Sequence, residues 1–195
     1  MKKTKILLST IALLFYSITI NARIFPSNEP ASAASPQQSI STPSGTAAGH
    51  SYVDLGLSVK WATMNVGASR ASSYGDYFTM SEADNFSWGG GWRLPTKYEI
   101  DELIDRCAWI WTNFEGRVGY IVIGPNDNSI FLPASGLKRY GSVLLNKGER
   151  GYYWSSTYED YPSSKYELYF TETEQSRSSS PEYLKSSFSI RPVIK

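Results

Sequence analysis

The side chains that carry most protein chemistry are scarce in this chain of 195 residues, which has one histidine, His50, and one cysteine, Cys107. A Ser-His-Asp or Cys-His relay needs an imidazole within hydrogen-bond reach of its nucleophile. His50 stands at the edge of a polar leader, so neither relay is expected inside a folded domain. Zinc and iron sites lose their commonest ligand for the same reason. Paired carboxylates could support glycoside hydrolysis, and the candidates are Glu159 with Asp160 and Glu172 with Glu174. These lie in polar links, where solvated loop charges are the simpler reading. Asp76 and Asp84 could give oxygen ligands to calcium, but they lack the repeated spacing of a recognised calcium loop. No cofactor and no metal are expected. Cys107 cannot close an intrachain disulfide; it either pairs between chains or, the favoured reading, fills the core as a small apolar residue.

Binding chemistry is better represented. Residues 140–183 hold Tyr140, Tyr152, Tyr153, Trp154, Tyr158, Tyr161, Tyr166, Tyr169 and Tyr183 among many serines. Tyrosine offers a flat apolar face and a hydroxyl at modest entropic cost, the composition of general-purpose recognition loops. Any one of these rings could instead be core. Alternation puts Tyr153 and Ser155 opposite Tyr152, Trp154 and Ser156, so one set is expected to be buried. Trp154, Leu168 and Phe170 are expected inside, and Tyr140, Tyr158, Tyr161 and Lys165 outside as ligand-binding residues. Arg93 and Arg191 are expected to be structural, each pairing a buried carboxylate or carbonyl.

The element that must position these groups is the run Gly89-Gly90-Gly91-Trp92-Arg93-Leu94-Pro95-Thr96-Lys97-Tyr98-Glu99-Ile100-Asp101-Glu102-Leu103-Ile104. Thr96 and Glu99 form a capping box, in which hydroxyl and carboxylate each take a backbone N–H at a helix start. Pro95 blocks extension backwards. Ile100, Leu103, Ile104, Cys107 and Ala108 recur on one helical face, which predicts a helix of about three turns covering a bent sheet. Residues 52–62 alternate, with Val53, Leu55, Leu57, Val59 and Trp61 on one side, as a strand that can turn at Gly56-Leu57. Residues 77–80 read as extended. Residues 109–112, 119–123 and 130–132 read as strands, the last two joined by a hairpin at Gly124-Pro125-Asn126-Asp127-Asn128. Residues 138–150 read as loop, residues 152–156 and 166–170 as aromatic strands, and residues 188–194 as a terminal strand whose Pro192 needs no ladder bond.

The net charge of +1 does not mark a nucleic-acid binder. Lys2, Lys3 and Lys5 precede an apolar run over residues 6–20, which predicts a secretory signal peptide, residues 1–22, with Ala33 or Ala34 as alternative cleavage positions. Asn21, Arg23 and Pro26 end the run too early for the competing reading, an uncleaved anchor. No cysteine stands near the cleavage point, so no lipoprotein anchor is expected. Residues 23–49, rich in Ser, Ala and Pro, cannot bury enough apolar surface to offset their ordering entropy and read as a disordered linker. Residues 50–195 are then one domain.

The blocks Tyr52-Val53-Asp54-Leu55-Gly56-Leu57-Ser58-Val59-Lys60-Trp61-Ala62, Tyr74-Gly75-Asp76-Tyr77-Phe78, Trp92-Arg93-Leu94-Pro95-Thr96, Gly151-Tyr152-Tyr153-Trp154-Ser155-Ser156-Thr157, Tyr166-Glu167-Leu168-Tyr169-Phe170 and Ser189-Ile190-Arg191-Pro192-Val193 come in that order. Together they resemble the Fibrobacter succinogenes major paralogous domain of exported Bacteroidetes proteins, over nearly all of residues 50–195. That group is similar to the wider C-type-lectin-like fold, which includes formylglycine-generating enzymes and the variable proteins of diversity-generating retroelements. The resemblance implies an α+β domain of short twisted antiparallel sheets, one main helix, adjacent first and last strands, and long loops whose C-terminal members face ligand. The chain lacks the C-terminal cysteines of the formylglycine-generating branch and both calcium-site tripeptides of sugar-binding lectins. Met64 stands where some relatives place a cysteine that would partner one like Cys107.

These readings converge on an exported, non-enzymatic module, secreted, periplasmic or at the cell surface. Its expected partner is an extracellular protein or glycan, with no nucleic acid and no membrane span after processing. The alternatives are a degenerate formylglycine-generating or carboxylate-based hydrolase and a structural domain of a surface assembly.

Overall fold

The alternation over residues 52–62 resolves into a hairpin. In the computed structural model, which describes residues 39–159, 164–179 and 185–195, β2 (His50–Val53) pairs antiparallel with β3 (Lys60–Ala62), matching Tyr52 to Ala62 and Val53 to Trp61. The turn falls at Gly56, whose φ of +73° only glycine adopts cheaply. Val53, Leu55, Val59 and Trp61 all point inward and are buried. The last strand, β13 (Val193–Ile194), pairs antiparallel with β3, so it lies in one sheet with the two hairpin strands. Pro192 lies just before it, and its carbonyl accepts from the Ala62 N–H at 2.9 Å.

The domain starts earlier than its composition implies. The linker expected to run through Gly49 contains β1 (Gly45–Ala47), which pairs with β2 at the edge of this sheet, and the Ser41 N–H donates to the Ser129 carbonyl at 3.2 Å. Edge pairing uses backbone groups, so small and polar residues suffice and the lack of apolar side chains is no bar. The expected signal peptide and residues 23–38 of the linker lie outside the described residues, which belong to one compact unit, Gln38–Lys195.

Two helices occur among the described residues. The expected extended segment pairs at Phe78, which exchanges backbone bonds with Phe188, and the Thr79/Glu82 capping box then starts α1 (Met80–Asp84), a short helix not expected from the sequence. The same device at Thr96/Glu99 starts α2 (Lys97–Arg106), as expected. Ile100 and Leu103 of α2 are buried, each stabilising the fold by about 1.5–3 kcal/mol. The helix has the expected three turns but ends two residues before the last expected face position: Cys107 is its extended C-cap, partly buried against the core, and Ala108 opens β4 (Ala108–Phe114).

Strand β4 pairs with β5 (Arg117–Ile123), which pairs with β6 (Ser129–Pro133) through the expected hairpin. Gly124 sits where a Cβ would lie 2.0 Å from the Leu55 carbonyl. Residues 138–150, expected as loop, contain the hairpin of β7 (Leu137–Arg139) and β8 (Val143–Leu145), with β12 (Ser186–Ser187) on the other side of β7. The aromatic strands are β9 (Gly151–Tyr158) and β10 (Lys165–Phe170), followed by β11 (Gln175–Ser178) in the order β11-β10-β9. The described residues are thus an α+β arrangement of antiparallel sheets with one main helix.

Strand β9 was expected to bury one face, and it buries both. Tyr153 joins the larger core with Trp61, Ile100, Leu103, Tyr120 and Phe170. Tyr152 and Trp154 join a second with Ala83, Leu94, Phe188 and Ile190. Elements cover the strand on either side, and the polar tips find partners: Tyr153 OH donates to the Pro133 carbonyl at 2.6 Å and Trp154 Nε1 to that of Phe78 at 2.7 Å.

Candidate functional site

Strand pairing places Lys165 of β10 directly across from Tyr158 of β9, and both reach Asp84 at the end of α1. The Tyr158 hydroxyl donates to Asp84 Oδ2, and the Lys165 ammonium makes an ion pair with Asp84 Oδ1 while lying 5.1 Å from the centre of the Tyr158 ring. Burial works to raise the Asp84 carboxyl, but hydrogen bonds from Lys165 and Tyr158 outweigh it and hold the group below the usual carboxylate range. Tyr158 moves the other way, pushed up to about 12 by its bond to Asp84 and then by burial.

Lys165 was expected at the surface and is 3% exposed. An ammonium tolerates that position only with a counter-charge, which Asp84 supplies from a side chain 36% exposed. Tyr158, at 41%, is exposed as expected. Tyr140 is also exposed, but it stands in the turn between β7 and β8 at a φ of +51°, next to the Lys185 ammonium, and no contact joins it to Asp84. Tyr161 lies outside the described residues. The structure therefore brings together two of the four expected residues and adds Asp84, whose carboxylate is engaged by Lys165 and Tyr158.

Beside this cluster is a cavity of about 180 Å³, floored by Ala83, Phe86 and Leu94 and rimmed by Asp84, Arg93, Ser156 and Lys165. Its second cation is fixed as firmly as the first. Arg93 grips Glu99 with two bonds, 2.7 and 2.5 Å, and donates to the Leu94 carbonyl at 3.0 Å. Partial burial of Glu99 is outweighed by Arg93 and Thr96, so its carboxyl is held below the ordinary range. Arg191 is structural as expected, but among carbonyls and an amide: it donates to Asn65 Oδ1, the Ala62 carbonyl and the Phe131 carbonyl at 2.8, 3.0 and 2.8 Å.

Both cations on the rim are neutralised, Asp84 is held below the usual carboxylate range and its neighbour Tyr158 is pushed up to about 12, so the site suits hydrogen bonding and apolar contact better than proton transfer. Of the hydrolase candidates, Glu172 and Glu174 are solvated charges in the turn from β10 to β11, and Asp160 lies outside the described residues. Among the described residues no three His, Cys, Asp or Glu side chains cluster as metal ligands, and no helix is long and apolar enough to cross a membrane.

On the far side of Phe86 the same α1 segment forms a second, open cleft of about 520 Å³. Phe86 lines both spaces. Asp84, weighed from sequence only as a calcium ligand, ends the helix whose signal was present in Thr79 and Glu82, and Phe86 and Trp88, which sequence reasoning missed, follow it. Comparison with known protein families, with curated proteins and with solved structures gives no match.

Proposed function

We propose that the chain is an exported, non-enzymatic binding module of C-type-lectin-like fold, which recognises an extracellular protein or glycan through the surface formed by α1 with the ends of β9 and β10. The observation that carries this reading is the convergence of Tyr158 and Lys165 on Asp84 at the rim of an apolar-floored cavity. A rim held by paired charges is pre-organised, so a ligand meets it without a large ordering cost. The order of the sequence blocks and the pairing of β3 with β13 support the fold assignment. The exchangeable element is Tyr158, which is partly open to solvent while its hydroxyl donates to Asp84.

Glycan and surface-protein arrays probed with the purified chain and with Tyr158→Ala test the reading. The variant is expected to lose captured ligand while its melting temperature stays within a few degrees of the parent. Equal capture by both proteins would remove Tyr158 from the site. Turnover of sulfatase peptides or glycans by the parent, lost in Glu159 or Glu172 variants, would replace binding by catalysis.

A further inference from the structure

The cleft beyond Phe86 has a wall of aromatic rings and one formal charge. Phe78, Phe86 and Trp88 line it, with Glu82, Ser81 and Asn85 along the rim, and Glu82 is its only charged lining residue. Trp88 is held from several directions: His50 stacks on it at 3.7 Å and 3° from parallel, Trp92 meets it at 5.4 Å and 80°, and Phe86 at 5.6 Å and 65°. Trp92 is anchored in turn, its Nε1 donating to the Ala47 carbonyl at 2.8 Å. The chain returns from Trp88 to Trp92 through Gly89, Gly90 and Gly91, at φ of +71°, +58° and +90°, a path that side chains with a Cβ rarely follow.

The polar groups are also set. Asn85 Nδ2 donates to the Ser81 carbonyl at 2.8 Å, and the Gly89 N–H donates to Ser87 Oγ at 3.0 Å. Glu82 takes the Thr79 N–H and hydroxyl on one oxygen, Oε2, at 2.7 and 2.8 Å. Those two bonds hold its carboxyl below the ordinary range, backbone bond first. Oε1 has no hydrogen bond among the described residues. Aromatic faces carry negative potential and attract cations within about 6 Å of the ring centre. Two rings meeting at a steep angle share the lining of the cleft with the Glu82 carboxylate, and 520 Å³ lies within the usual range for a small-ligand site.

We propose that this cleft binds an alkylammonium group, presented either by a lysine side chain of a partner protein or by a small quaternary amine. The lysine case rests on the binding-module reading above; the chemistry of the cleft does not. The groove offers the cation a carboxylate and ring faces together, and no lining cation opposes it.

Calorimetric titration of the purified chain, with tryptophan fluorescence as a second readout, tests this with choline, Nα-acetyl-lysine amide and two neutral controls. The controls are 3,3-dimethylbutan-1-ol, which copies choline without its charge, and maltose. At least one cation is expected to bind saturably, about tenfold tighter than the neutral alcohol. Tighter binding of acetyl-lysine amide assigns a protein side chain as the source, and tighter binding of choline assigns a small amine. Glu82→Gln, which keeps the capping box, is expected to weaken the cation severalfold and leave the alcohol unchanged. Trp88→Ala is expected to abolish binding of both. No saturation by either cation up to about 100 mM, equal binding of the alcohol, or preferential binding of maltose would each overturn the proposal. None of these results depends on Tyr158, so failure here leaves the array experiment standing.

Discussion

Replacing Glu167 by glutamine removes one titrating group from the interior. Glu167 lies on β10 two residues from Lys165, is 0% exposed, and neither of its oxygens has a hydrogen-bond partner of good geometry. Burial pushes its carboxyl from 4.5 up to about 8; the Ser178 hydroxyl offsets this only in part, and the Glu159 charge adds to it. The sign follows from proton linkage. Below the ordinary value both folded and unfolded chains hold the proton and the group costs nothing. As pH rises, the unfolded chain releases the proton while the folded chain keeps it, so stability falls by about 1.4 kcal/mol per pH unit until the folded group also ionises near pH 8. At pH 7, about 2.5 units above the ordinary value, the accumulated loss is about 3 kcal/mol. Glu167→Gln has nothing to titrate and does not incur it.

The assay is urea unfolding of both proteins at intervals from pH 4.5 to 8.5. Asp84 and Glu99, held below their ordinary values, gain stability in the acid range in both proteins and cancel in the difference. Any fixed cost of burying an amide cancels too, because the slope of the difference against pH is the quantity read. The expected result is a difference that moves in favour of the variant by about 3 kcal/mol between pH 4.5 and 7 and flattens above about pH 8. Parallel stability curves would refute the assignment of a neutral, sealed carboxyl at Glu167.

Three further outcomes follow from the geometry. Asp84→Ala strands the Lys165 ammonium in the interior and is expected to lower unfolding free energy by about 2 kcal/mol, less than for a fully buried pair because Asp84 is partly exposed; a loss under about 0.5 kcal/mol in denaturant titration would contradict the ion pair. Arg191→Lys cannot reach three acceptors with one ammonium and is expected to cost about 3 kcal/mol by the same measurement. Burial, and then the Glu102 charge, pushes the Cys107 thiol up to about 11, so iodoacetamide at pH 8 should modify it about a hundredfold more slowly than an ordinary cysteine, with mass spectrometry as the readout.

Local signals were sufficient wherever neighbouring residues decide the structure. The Thr96/Glu99 box starts α2, the Gly124 to Asn128 turn closes β5 on β6, and the alternation around Gly56 folds into β2 and β3. The burial of Trp154, Leu168 and Phe170 was legible for the same reason, since apolar residues on a strand must cover something. The α1 box at Thr79 and Glu82 was equally present, but a helix of five residues has no apolar period to accompany its cap.

What the sequence by itself determined is therefore a set of elements and an inventory poor in reactive groups, because caps, turns and alternation act over a few residues. Tertiary structure decided which face of each element found a neighbour. It covered β9 on both sides, drew residues 44–47 onto β2 and Ser41 onto β6 by backbone bonds, and turned Lys165 inward onto Asp84, 81 positions away in the chain. The setting of Trp88 at the aromatic cleft arose in the same way, from His50 of β2 stacking on its ring across the fold. Pairing a buried charge depends on what arrives in three dimensions, and no spacing along the chain encodes that arrival.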